Sequence, residues 1–223
     1  IKTVKASNLK QCYIRPLAYY GYGTMGLTPL KNKVDVSISC WEWKMGESKA
    51  GKFSGARCKI SKWIRIDSRS QPMQAKSAAN YSNAALARVE ALKAGYDEAI
   101  MLNNKGHVAE GSAENIFVIK NGRITTPPLS ADILNGITRN SAIQMIKASG
   151  KKISEKNITV KNLLSADEIF MTGTAAEVKS VTRVNRTKIG SGKIGPITKE
   201  LQSSFMDVVM GKNKKFLSWL KFL

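Results

Sequence analysis

Cysteine, histidine and long apolar runs are all scarce in this sequence. The cysteines are Cys12, Cys40 and Cys58, an odd number with no C-x-x-C pair. That argues against a disulfide framework or a structural zinc site, and a reducing, cytoplasmic compartment is expected. The single histidine, His107, excludes a multi-histidine metal site, so no metal is expected and proton transfers fall to Lys, Tyr or a carboxylate. No run of about 18 apolar residues occurs, so no membrane span is expected. The first residues, Ile-Lys-Thr-Val-Lys, lack the apolar stretch of a signal peptide. Acidic residues are few: 16 Asp and Glu stand against 36 Lys and Arg, a formal charge of +20.

Such a charge raises the prospect of nucleic-acid binding. The basic residues are spread along the chain, however, and are dense only near 31–33, 147–161 and 212–221. Neither a zinc-finger nor an RNP-like motif accompanies them, and aromatics are not interleaved. A lysine-rich solvated surface is the simpler reading, and no specific nucleic-acid partner is expected. At 223 residues and 43% hydrophobic content, the chain can bury a sizeable core.

Hydrophobic patterning outlines the elements. Residues 9–20 read as a strand near an edge, and 34–43 alternate with period two. Gly46, Gly51 and Gly55 then mark a flexible connection. Three parts follow: 1–46 as part of a small α+β domain, 47–56 as linker, and 57–223 as a large domain. Asn80–Lys93 reads as a helix with Ala85, Leu86, Val89 and Leu92 near one face. Hairpins are expected around Asn104-Lys105-Gly106, around Asn121-Gly122 and within 181–189. Thr138 opens a helix to about Ala148, 169–172 form a short strand, and Pro196 starts a helix to about Met210. Strand pairs mixed with separate helices give an α+β fold class.

Against this background four segments stand out: Gln74-Ala-Lys-Ser-Ala-Ala-Asn-Tyr81, Ala109-Glu-Gly-Ser-Ala-Glu-Asn-Ile116, Leu134-Asn-Gly-Ile-Thr-Arg139 and Met171-Thr-Gly-Thr-Ala-Ala-Glu177. Lys76 lies among small residues before a helix. A desolvated setting of that kind would lower the pKa of an amine that must attack a carbonyl. Gly136-Ile137-Thr138 leads into a helix, where free N–H groups and a hydroxyl suit a phosphate; a plain Thr138 N-cap is the blander alternative.

In order and spacing the four segments resemble the fold-type IV pyridoxal-phosphate enzymes, and among them the branched-chain aminotransferases. The resemblance runs from about Tyr13 to the end. It implies a two-domain architecture like that of D-amino-acid aminotransferase, pyridoxal 5'-phosphate as cofactor, and a homo-oligomer. It further implies that Lys76 holds the cofactor as a Schiff base and shuttles the proton, that Tyr81 meets the cofactor's phenolic oxygen, and that Glu110 pairs with the pyridine nitrogen. Glu114 is the competing carboxylate, with Glu114 and Asn115 expected to support the loop. Gly136, Ile137, Thr138, Gly173 and Thr174 would bind the phosphate, and Thr174 and Ala175 the substrate carboxylate. Tyr13-Ile-Arg15 matches the family's Tyr-x-Arg strand, so Tyr13, Arg15 and Trp41 are expected at the substrate side chain. Trp43 competes with Trp41, and Lys44 stands where aromatic or small residues are common.

The implied reaction moves an amino group from Leu, Ile or Val to 2-oxoglutarate. The rivals within the fold are a D-amino-acid aminotransferase and an aminodeoxychorismate lyase, against which Tyr13, Arg15 and 173–177 argue. In the family a further segment precedes the Tyr-x-Arg strand and gives an arginine to the phosphate. Nothing here corresponds to it, so an incomplete small domain, and weak activity or an inactive fragment, are expected of the chain alone.

Overall fold

A computed structural model describes residues 1–43 and 55–222. Lys44, Gly46, Gly51 and most of the expected linker lie outside the described residues. The chain divides into two compact units, Ile1–Lys52 with Lys221–Leu223, and Phe53–Leu220.

The first unit opens with a short helix, α1 (Lys2–Ser7), which the patterning did not foreshadow. Strands β1 (Cys12–Tyr20) and β2 (Val34–Glu42) pair antiparallel along their full lengths, from Cys12 opposite Glu42 to Tyr20 opposite Val34. Pro16 is accommodated because a two-stranded ribbon has a free edge. Tyr13 faces Trp41 across the ladder and their rings stack at 5.0 Å.

The second unit is built on a nine-stranded mixed sheet. Its strands are β3 (Ala56–Ile60), β4 (Glu98–Leu102), β5 (Val108–Gly111), β6 (Asn115–Lys120), β7 (Arg123–Thr126), β8 (Ile153–Glu155), β9 (Glu168–Gly173), β10 (Glu177–Val184) and β11 (Thr187–Lys188). The order is β5-β4-β3-β10-β9-β6-β7-β8, with β11 beside β10. Pairs β3–β10, β3–β4 and β7–β8 are parallel and the rest antiparallel. Helices α2 (Asn80–Lys93), α3 (Ile137–Ala148), α4 (Val160–Leu164) and α5 (Pro196–Val209) complete the unit.

Both faces of the central strands are covered. Along β6, Ile116 and Val118 enter one apolar cluster with Ile169 and Met171, while Phe117 and Ile119 enter another with α3 and α5. Phe117 stacks on Phe170 at 4.6 Å. A strand buried on both sides reads as a continuous apolar run instead of an alternation. The turn between β6 and β7 places Asn121 at φ 49° and Gly122 at φ 70°, the pair of positive angles that a two-residue hairpin turn of right-handed twist requires.

Helix α2 corrects the expected face. Leu86, Val89 and Leu92 are about half exposed. The buried side is Ala84, Ala87 and Ala91, packed on Ala99 and Met101. Alanines let the helix lie close on β4, and the larger side chains point outward. Among the described residues no helix is long and apolar enough to cross a membrane.

Candidate active site

Four pieces of backbone meet at one pocket of the second unit. They are the segment after β3, the turn leading into α2, the end of β5 with the start of β6, and the loop before α3. Lys76, Tyr81 and Glu110 line it, together with Arg65, Glu114, Asn115 and Leu134. Three residues singled out in the sequence are thus brought together, although Glu110 is distant from Lys76 along the chain.

Lys76 sits before α2. Its neighbourhood is held by turns: Ala75 N–H donates to Pro72, and the Asn80 amide donates to the Ala75 carbonyl at 3.2 Å. The side chain is exposed, which corrects the desolvation expected from its small neighbours. Ala75, Ser77, Ala78 and Ala79 are too short to cover a lysine chain. Tyr81, in the first turn of α2, is 40% exposed.

Glu110 is the opposite case, a charged group deep in the sheet. It is 5% exposed, on β5, opposite Met101 of β4. Oε1 lies 2.9 Å from a guanidinium nitrogen of Arg65. Oε2 accepts from the Asn115 amide at 3.0 Å and from Leu134 N–H at 3.2 Å. Burial pushes the carboxyl up to about 7, against the pull of Arg65 and the Leu134 N–H, with Glu114 adding to the rise. Glu114 is raised as well, first by burial. Its Oε2 accepts from Ala113 N–H at 3.1 Å, and its carbonyl accepts from Gly111 N–H at 2.6 Å. Glu114 therefore braces the turn between β5 and β6.

The glycine segments flank the same strip. At Gly136 an added Cβ would stand 2.2 Å from Asn115 Oδ1, and at Gly173 it would stand 3.4 Å from the Ala113 carbonyl. Only a residue without Cβ lets the loop before α3 close on Asn115. Helix α3 begins at Ile137 with Gly136 as its N-cap and no side-chain cap. This corrects the Thr138 cap: Thr138 lies inside the first turn, and side chains leave that turn's N–H groups uncapped. On the other loop, Gly173 pairs with Glu177 to close a tight turn between β9 and β10. Thr174 and Ala175 are exposed on it, and Glu177 takes φ 55°.

Tyr13, Arg15 and Trp41 belong to the first unit. Trp41 and Trp43 both contact Tyr13, at 5.0 and 5.3 Å between ring centroids. Arg15 is exposed.

Sequence reasoning missed Arg65, a residue that is 6% exposed and carries the one cation bonded to Glu110 among the described residues. No local pattern marks it. Arg139 was passed over too. It is 2% exposed and bonds the Pro127 carbonyl and Glu155, fixing the start of α3. Among the described residues no group of His, Cys, Asp and Glu could hold a metal.

The donor set suits a ring with a basic nitrogen, an aldehyde and a phosphate. The pocket offers a buried carboxylate for the nitrogen and an accessible amine for the carbonyl; the uncapped N–H groups of α3 do not line it but follow Gly136, beside Asn115. Arg65 and Asn80, which line the pocket, each keep one buried polar atom without a partner.

Comparison with known proteins gives the family. The family described as amino-transferase class IV matches residues 1–184. The probable branched-chain-amino-acid aminotransferase of Aquifex aeolicus is 44% identical over 217 residues, 97% of this chain and 69% of that one. The branched-chain-amino-acid aminotransferase of Pseudomonas aeruginosa is 43% identical, over 97% and 70%. The T.th. branched-chain amino acid aminotransferase, solved with pyridoxamine 5'-phosphate, superposes with a TM-score of 0.94 at 39% identity, over 98% of this chain and 72% of that one. It has also been solved with N-(5'-phosphopyridoxyl)-L-glutamate and with 4-methylvaleric acid. In sequence and in fold alike, this chain belongs to the class IV aminotransferases.

Proposed function

We propose that the chain transfers the amino group of branched-chain L-amino acids (Leu, Ile and Val) to 2-oxoglutarate, with pyridoxal 5'-phosphate as cofactor. The observation that carries this reading is the convergence of Lys76, Tyr81 and Glu110 on one pocket in a chain of this family. When bound, the cofactor supplies an electron sink for the pair left at the substrate Cα. The protein's own groups do the rest. Lys76 would hold the cofactor through its amine and, when free, would carry the proton that leaves the substrate Cα. Glu110 would offer its carboxylate to the ring nitrogen. Tyr81 would offer its hydroxyl to the ring oxygen. Gly136, Ile137, Thr138, Gly173 and Thr174 would hold the phosphate by N–H and hydroxyl groups.

Substrate selection is assigned to Tyr13, Arg15, Trp41, Thr174 and Ala175. An apolar wall of stacked Tyr13 and Trp41 suits a branched side chain. The exposed Arg15 suits the distal carboxylate of glutamate, which a guanidinium grips with two bonds. Trp43 contacts the same Tyr13 ring as Trp41, so it competes with Trp41 for this role. The complexes of the T.th. enzyme with a glutamate adduct and a branched acid support one site for both kinds of substrate.

Residues 1–46 are read as part of the small domain and 57–223 as the large cofactor-binding domain, a reading supported by the two compact units. A homo-oligomer is supported by the half-exposed Leu86, Val89 and Leu92. An odd number of cysteines with no C-x-x-C pair supports a reducing, cytoplasmic setting.

The test is an absorbance spectrum after adding pyridoxal phosphate and dialysing. A retained band that bleaches with L-leucine, and is absent in Lys76→Ala, is expected. A band that Lys76→Ala keeps, or no retained band once the chain is extended to the full length of its relatives, would overturn the reading.

A further inference from the structure

Glu110 is a charge placed where charges are costly. Of its two oxygens, Oε2 is held by Asn115 and Leu134, whereas Oε1 has Arg65 as its partner. Arg65 is as buried as Glu110. Its position is fixed from the backbone, since Arg65 N–H donates to the Leu102 carbonyl at 2.8 Å, extending the line of β4. An ion pair buried to this degree is a poor device for stability, because desolvation of both partners offsets their attraction, and apolar residues of equal volume serve as well or better. Its position beside Lys76 in the pocket calls for another purpose.

The groups around Glu110 set the terms. Burial and the nearby Glu114 both favour the neutral carboxyl. Asn115 and Leu134 are neutral donors, and Lys76 carries its amine on an exposed chain. Arg65 alone among these brings a buried positive charge into contact.

We infer that Arg65 is a positioning residue: seated on Oε1, its guanidinium fixes the orientation of the Glu110 carboxylate and keeps its negative charge available to a pyridine nitrogen. Arg65 touches neither substrate nor cofactor in this role and acts through Glu110. The inference rests on the proposed function for what Glu110 serves. The hold of Arg65 on the charge of Glu110 can be measured without cofactor.

The experiment is a carboxyl ¹³C NMR titration of the chain labelled at glutamate, with Glu110 assigned by Glu110→Gln. Arg65→Gln is expected to raise the Glu110 midpoint by about one pH unit or more, tenfold in acidity. Arg65→Lys, which keeps a cation, is expected to leave it within about half a pH unit. Retention of pyridoxal phosphate, followed by dialysis and absorbance, is expected to weaken about tenfold in Arg65→Gln, a loss of about 1.4 kcal/mol. In a Glu110→Gln background the same substitution should add less than about twofold, because partners acting as a unit are not additive.

An unchanged midpoint in Arg65→Gln overturns the inference. So does a full additional loss of retention in the Glu110→Gln background. Should Arg65→Gln fail to fold, Arg65→Lys decides. A single ammonium keeps the charge but not the planar fork, so weakened retention at an unmoved midpoint supports the inference, and parent-like retention overturns it. Loss of pyridoxal phosphate even from a chain extended to the full length of its relatives overturns the proposed function instead, and the cofactor-free titration still decides the role of Arg65.

Discussion

Asn115 ties Glu110 to Leu134 through one nitrogen, donating to Oε2 of the carboxylate at 3.0 Å and to the Leu134 carbonyl at 2.9 Å. The start of β6, the end of β5 and the loop before α3 are thus joined at a single side chain. Asn115→Ala removes both bonds and leaves buried acceptors short of donors, which costs about 1–3 kcal/mol. Asn115→Asp is expected to do worse at pH 8 than at pH 5, because a second carboxylate then faces Glu110 and the two repel once ionised. Urea unfolding of both variants at the two pH values checks the pair of outcomes. Equal stability of Asn115→Asp at both would mean that Glu110 is not charged there.

Gly136 presses on the same side chain. A methyl group at this position meets Asn115 Oδ1 at 2.2 Å, and Asn115 cannot step aside without releasing Glu110 or Leu134. Gly136→Ala is therefore expected to cost about 1–3 kcal/mol, as overpacking does, and to weaken retention of pyridoxal phosphate. Gly150, past the end of α3, has φ 76° and open space around it. Gly150→Ala is expected to lose about 1 kcal/mol through backbone strain alone, with cofactor retention unchanged. Melting temperature and dialysis, measured on both variants, separate the two causes.

Local signals made much of the fold legible. The helix over Asn80–Lys93 and the strands around Asn121-Gly122 fall where composition and turn chemistry put them. The quantities that depend on tertiary packing were harder to read. The apolar face of α2 faces outward because β4 presents a surface that only alanines can approach. Thr138 sits two residues too late to cap α3, since Gly136 must pass close to Asn115. Lys76, Tyr81 and Glu110 were visible through their surrounding segments, but Arg65 was not. It comes from a stretch without periodicity, and its partner is distant in the chain. A buried ion pair leaves no trace in a linear pattern.

The carboxylates divide the pH dependence of the cofactor-free chain into two limbs. Asp67 and Asp167 are held below the ordinary carboxylate range, Asp67 first by the side chain of Arg69 and Asp167 first by that of Lys120. Such groups contribute stability above their unfolded pKa, and it is lost as pH falls through the folded one. Glu110 has the opposite sign. Its folded value is raised from 4.5 to about 7, so the folded chain binds more protons between those values and stability declines as pH rises through them. The slope from a single group is at most on the order of 1 kcal/mol per pH unit. For the cofactor-free chain, Glu110 is expected to contribute a descent in stability between pH 4.5 and about 7. Glu110→Gln should flatten that descent. Thermal melts from pH 3 to 8 check this, and an unaltered descent in the variant would assign it to other groups.

Helix α2 offers a prediction that plain amphipathic reasoning would invert. Leu86 is 48% exposed, whereas Ala87 is fully buried against Ala99 and Met101. Leu86→Gln should therefore change the stability of the unit, measured on the dissociated chain, by no more than about 0.5 kcal/mol. Ala87→Leu adds three carbons where helix and strand already touch. It is expected to cost about 1–3 kcal/mol, or to push α2 off β4. Because Lys76 and Tyr81 sit at the N-terminal end of this helix, such a shift should also show as weaker pyridoxal phosphate retention. Chemical denaturation with parallel dialysis checks both. A severe loss in Leu86→Gln with a mild one in Ala87→Leu would mean that the helix is rotated about its axis, with its leucines inward. The close contact of α2 with β4 would then have to be abandoned, because leucines cannot lie where the alanines now meet the sheet.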